Sequence, residues 1–155
     1  DGHRACKVCL SPEETLKQGT RCPVCGKKLT LGVAHRVYEL ADRGYGERPE
    51  TARPFISLIP LQEVISEALN VGVSSKKVQQ VYMKMVQELG PEFYILKDAP
   101  SEDIERVAST EIAEGIRRMR EGRVNIRPGF DGEFGRIRLF EEPERYEIKG
   151  QIALF

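Results

Sequence analysis

The sequence has no Trp, only two His and no Cys beyond position 25. His3 and His35 are too isolated to build a hydrolytic metal site or a nucleophilic triad, both of which need several convergent partners. No Gly-rich phosphate loop of the Walker type is present, and no closely spaced carboxylates stand on a strand. No apolar run approaches the roughly 20 residues of a spanning helix. The opening residues, DGHRACKVC, carry no secretory segment. Net charge is missing as well, since 24 Lys and Arg balance 24 Asp and Glu. No complete active site is legible. The chain lacks an initiator Met and opens almost directly on a metal-type motif, so the expectation is a piece of a longer protein with its chemistry upstream.

What is present is a globular composition. Of 155 residues, 40% are hydrophobic and 31% charged, enough for one domain or two small ones. The charge is segregated along the chain. Residues 1–54 carry +3, residues 55–116 carry −5, residues 117–138 carry +4 and residues 139–155 carry −2. Two basic segments thus flank an acidic helical middle, an arrangement that permits anion binding at both.

The four cysteines form two C-x2-C pairs, Cys6 with Cys9 and Cys22 with Cys25, twelve residues apart. Two such turns present four thiolates, the number a tetrahedral Zn²⁺ takes. Disulfides lack a secretory context, and unrelated free thiols would not cluster as two pairs. The pattern predicts structural zinc on Cys6, Cys9, Cys22 and Cys25, with no position left for a reactive water. Gly26 follows the second pair, where a knuckle often needs a positive φ. Between the pairs, SPEETLKQG predicts a short helix with Ser11 as N-cap, Pro12 at N1, Glu14 closing a capping box and Gly19 as terminator. GVAHRVYELADRG predicts another helix, ending at Gly44, with Val33, Val37, Leu40 and Ala41 inward and His35 off that stripe, at a packing edge or in solvent.

YGERPETARP, residues 45–54, reads as a connector. Beyond FISLI, PLQEVISEALN and SSKKVQQVYMKMVQELG predict two helices joined at VGV. FYILKD predicts a short strand, and SEDIERVASTEIAEGIRRMREG a helix to Gly122 with a break near Ser109. The pair around Gly72 fits either a plain core hairpin or a DNA-binding helix-turn-helix, with Lys76 and Lys77 opening the recognition helix beside phosphates. RVNIRPGFDGEFGRIRLF then predicts a β-hairpin whose loop holds Phe130 and Phe134, framed by Arg123, Arg127, Arg136 and Arg138. Such a loop either contacts DNA, through Arg charge and aromatic stacking, or caps the core with its Phe side chains.

Three stretches resemble a known family. The CKVC and CPVCG pair, LADRGYGERPETARPFISLIPLQEVISEALNVG, and IRPGFDGEFGRIRLF are similar to the region that follows the PHP nuclease domain in endonuclease Q and its bacterial relatives. The resemblance covers essentially the whole chain. It implies the non-catalytic, DNA-binding portion of a repair endonuclease that cuts 5′ of deaminated bases (uracil, hypoxanthine, xanthine) or abasic sites. The catalytic divalent metals would sit in the upstream PHP domain. It also implies a cytoplasmic, nucleoid-associated protein.

The resulting expectation is an α+β chain. Residues 1–44 form a small four-cysteine zinc knuckle module with its following helix, 45–54 a connector, 55–140 a mainly helical DNA-binding module with a short hairpin, and 141–155 a tail. That tail ends in Gln151, Ile152, Ala153, Leu154 and Phe155, which resembles the pentapeptide that binds the bacterial sliding clamp. Alternatively, RYEIKGQIALF pairs as a final strand with RIRLF. Two other functional classes fit the same residues: a zinc-ribbon and helix-turn-helix regulator, and a replication-associated protein-interaction module.

Overall fold

The computed structural model describes residues 1–141. Among them are seven α-helices and two small antiparallel hairpins, so the chain is α+β. It divides into two compact units. The first comprises Asp1–Pro54 and Ile126–Arg136, and the second Phe55–Asn125 and the chain from Ile137. The sequence predicts the glycine hairpin as part of the second module; the chain's contacts group its loop with the first.

In the first unit, strand β1 (Gly2–His3) pairs antiparallel with β2 (Val8–Cys9) across a 3-10 turn at Arg4–Cys6. Helix α1 (Pro12–Lys17) starts as predicted. The Ser11 hydroxyl accepts from Glu14 N–H at 3.2 Å, and the Glu14 carboxylate accepts from Ser11 N–H at 2.8 Å. Helix α2 (Val33–Leu40) runs shorter than the predicted end at Gly44. Its predicted orientation is reversed. Val33, Val37 and Leu40 are exposed, while His35 is 3% exposed and lies 2.7 Å (Nδ1) from the Asp1 carboxylate. The other Asp1 carboxylate oxygen accepts from Gly32 N–H at 2.7 Å, just before the helix. The physical reason is the size of the core. Among the described residues of this unit the buried apolar side chains are Cys22 and Leu29 alone, so there is no apolar interior to receive a Val-Leu stripe. A buried carboxylate paired to His35 and Gly32 sets the helix instead.

The second unit holds the main core. Helices α3 (Leu61–Leu69), α4 (Lys76–Leu89), α5 (Glu92–Lys97), α6 (Ser101–Val107) and α7 (Thr110–Arg120) enclose Leu61, Val64, Ile65, Val78, Met85, Ile95, Ile104, Ile112 and Ile116. The predicted break near Ser109 is present, and Ser109 caps α7 by accepting from Ile112 N–H. FYILKD is not a strand. It forms α5, with Ile95 and Leu96 both buried. No neighbouring strand is there, among the described residues, to satisfy an extended backbone, whereas a helix satisfies its own. Its last carbonyls, at Ile95 and Leu96, accept from the Arg120 guanidinium at 2.8 and 2.9 Å. At the turn between α3 and α4 the left-handed residue is Asn70 (φ 53°, ψ 48°). Leu139 and Phe140 close the core, their N–H groups both donating to Glu67 Oε1. The Arg118 guanidinium lies over the Phe140 ring, 4.9 Å from its centre.

Candidate metal centre and nucleic-acid interface

Three of the four cysteines meet at one point. The Sγ atoms of Cys6, Cys22 and Cys25 and a ring nitrogen of His3 all lie within 4.8 Å of one another. Cys9, predicted as the fourth ligand, stands outside this group, and His3 stands in it. The hairpin explains the exchange. His3 is paired with Val8 and Gly2 with Cys9, so Cys9, next to Val8, points to the face opposite His3. The pairs that could hold a metal are therefore His3-x2-Cys6 and Cys22-x2-Cys25. The first pair is spaced by the 3-10 turn, which Lys7 ends in the left-handed region. The sequence does carry a signal for it, a His three residues before a Cys, but the competing C-x2-C pattern masks it.

The donor set fits Zn²⁺. A tetrahedron with Zn–S near ~2.3 Å and Zn–N near ~2.0 Å has edges of about 3.5–3.8 Å. His3 Nδ1 and Cys25 Sγ lie 3.4 Å apart. Burial, with hydrogen bonds to Cys25 and Cys22, pushes the Cys6 thiol up to about 11. Burial also opposes ionisation of Cys22, but the backbone N–H groups of Cys25 and Val24, with His3, draw it down to about 6. A dication relieves that competition by taking all three sulfurs as thiolates. His3, Cys6, Cys22 and Cys25 would hold it, and its contribution is structural: four protein ligands leave no open position. Among the described residues this is the one cluster of three or more potential metal ligands.

The glycine hairpin, strands β3 (Asn125–Arg127) and β4 (Arg136–Arg138), turns at Phe130–Glu133. Asp131 and Gly132 have φ of 43° and 78°, and Phe130 and Glu133 exchange both backbone hydrogen bonds. Positive φ at both central residues is what a two-residue type I′ turn requires, and Asp-Gly suits it. The turn packs on β1. Gly2 lies so close to Phe130 that a Cβ there would stand 2.5 Å from the ring. Asp131 accepts from Arg4 N–H and from the Thr30 hydroxyl, each at 2.6 Å, and these hold its carboxyl below the usual range. Lys7 pairs with Glu133.

The predicted nucleic-acid contacts fall in both units. Phe130 is half-buried, packed against Gly2 within its own unit. Phe134 is 97% exposed, and Arg127 and Arg136 are exposed as well. Arg123, in the second unit, is engaged by Glu121 at 2.7 Å and Glu114 at 3.6 Å. Lys76 and Lys77 are exposed at the first turn of α4. Gln151, Ile152, Leu154 and Phe155 lie outside the described residues. Among the described residues no helix is long and apolar enough to cross a membrane.

Comparison with known proteins gives this geometry a context. Residues 60–123 match the model of the MJ0043 C-terminal domain family. The chain is 34% identical over 146 residues to the protein MJ0043 of Methanocaldococcus jannaschii, covering 92% of this chain and 18% of that protein. It is 32% identical over 136 residues to YqxK of Bacillus subtilis, covering 86% and 31%. Among solved structures it is similar to the lesion-specific endonuclease PfuEndoQ of Pyrococcus furiosus, with a TM-score of 0.74 and 31% identity over 97% of this chain and 37% of that one. It is likewise similar to an endonuclease Q bound to a 27-mer duplex with an abasic lesion at its active site, with a TM-score of 0.72 and 33% identity over 91% and 35%. The chain therefore spans under two fifths of each of these proteins.

Proposed function

Starting from a chain that is an endonuclease Q-related region, we propose that it is the non-catalytic, DNA-holding portion of a repair endonuclease that cuts 5′ of deaminated bases or abasic sites. The observation that carries this reading is the TM-score of 0.72 to an endonuclease Q whose partner is duplex DNA with an abasic lesion. The site chemistry supports it. The cluster of His3 and three cysteines would be saturated by one structural ion, and exposed Arg127, Arg136 and Phe134 suit a phosphate backbone and an unstacked base. Catalytic metals belong to the remainder of the parent protein. The chain alone is expected to bind duplexes containing uracil or an abasic site, with affinity falling steeply as salt rises, and to leave them uncut in Mg²⁺ or Mn²⁺. Cleavage by the highly purified chain would defeat the non-catalytic assignment. The absence of any DNA affinity at low salt would defeat the DNA-holding one.

The same reading includes recruitment to the bacterial sliding clamp by Gln151, Ile152, Leu154 and Phe155. Leu154 and Phe155 would each contribute ~1.5–3 kcal/mol if fully buried in a cleft, and ordering the peptide offsets much of this, leaving micromolar affinity. Deleting residues 151–155 is expected to abolish clamp binding in a calorimetric titration and to leave the melting temperature unchanged. A melting drop of several degrees, with no clamp affinity in the intact chain, would assign the peptide to the fold instead.

A further inference from the structure

Residues 2–7, Gly-His-Arg-Ala-Cys-Lys, alternate between two sets of partners. His3 and Cys6 face the metal cluster. The residues between and beside them hold the hairpin loop: Gly2 receives the Phe130 ring, Arg4 donates its N–H to Asp131, and Lys7 pairs with Glu133. Thr30, whose backbone exchanges hydrogen bonds with Gly2, donates its hydroxyl to the other Asp131 oxygen. Asp131 thus joins the loop to both flanks of one strand. The loop is fixed at its turn, yet its second aromatic, Phe134, is 97% exposed, with Arg127 and Arg136 exposed on the strands that flank it. A bare aromatic beside a fixed turn is costly to present in water, and with arginines flanking it has the chemistry of a base-stacking platform.

We propose that the loop Ile126–Arg136 is a DNA-contacting arm, with Phe134 stacking on an unstacked base and Arg127 and Arg136 meeting backbone phosphates, and that the metal-holding segment sets its pose through Asp131. This arm rests on the DNA-holding reading and deepens it. Phe134 is the contact residue; Asp131 is a positioning residue and touches no nucleic acid.

The test uses the whole chain with its metal bound. Asp131→Gly removes both clamping bonds and keeps a turn residue that tolerates positive φ. Thr30→Val removes one bond and serves as the milder second variant. Phe134→Ala is expected to weaken binding to a duplex with an abasic site about tenfold, with melting temperature and metal content unchanged, because an exposed ring loses no packing. Asp131→Gly is expected to keep its metal, to speed amide hydrogen exchange across residues 126–136, and to weaken the same binding by a similar factor. The double variant should bind no worse than the weaker single variant, since both act through one contact. Normal binding by Phe134→Ala would overturn the arm. Normal exchange and normal binding by Asp131→Gly, with Phe134→Ala weakened, would overturn the positioning role and leave the arm standing. If the intact chain binds no duplex, the DNA-holding reading fails and takes the arm with it; the exchange rates then still decide whether Asp131 locks the loop.

Discussion

Replacing Cys22 by Ser is expected to strip the metal and unfold the first unit, while the second unit stays folded. Cys22 is the most buried of the four ligands. The unit around it has little else. Cys22 and Leu29 are its buried apolar side chains among the described residues, together worth no more than a few kcal/mol at ~1.5–3 kcal/mol each. A structural zinc contributes on the order of 10 kcal/mol of apparent folding free energy, so it dominates. Hydrogen exchange would show residues 1–31 and 126–136 losing protection, with α3 to α7 keeping theirs. Metal analysis would fall from one ion per chain to none. The exposed Cys9 supplies the control: Cys9→Ser should retain its zinc, and His3→Ala should lose or weaken it. Zinc loss in Cys9→Ser as complete as in Cys22→Ser would make Cys9 the fourth ligand and remove His3 from the site.

Phe140→Ala is expected to be the most damaging single truncation in the second unit. The ring is 2% exposed and fills the space against Gly115, where an added Cβ would stand 3.4 Å from its Cζ. Removing it leaves a cavity beneath the Arg118 guanidinium, and Phe-to-Ala changes of this kind cost about 3–5 kcal/mol. Denaturant unfolding followed on the second unit should show a loss of that size, with zinc content unchanged. A loss under about 1 kcal/mol would mean that the chain after β4 contributes little to the core.

Most of the helical unit was legible because its signals are local, and the same holds for the first helix of the metal-binding unit. Ser11, Pro12 and Glu14 specify the start of α1 through hydrogen bonds spanning three residues, and the structure contains them. The apolar residues of α3, α4 and α7 recur at helical spacing, and the faces they form meet a core large enough to reward them. The resemblance carried by the cysteine pairs and the glycine loop identified the endonuclease Q relationship, which the structural similarity bears out.

Where local signals competed, only tertiary structure decided. The C-x2-C spacing counted four thiolates, but strand pairing turned Cys9 away and His3 inward, since alternation along a strand sends neighbours to opposite faces. The stripe of Val33, Val37 and Leu40 pointed to a buried face, but with so small an apolar interior the Asp1 carboxylate buried His35 instead. FYILKD has a strand's composition and became α5 because a helix needs no partner for its backbone. The two Phe of one loop look alike in sequence, and one is packed against Gly2 while the other stands in solvent. Sequence determined which segments form helices and turns, where hydrogen bonds reach a few residues. Long-range contacts determined which faces are buried, because burial depends on what lies opposite.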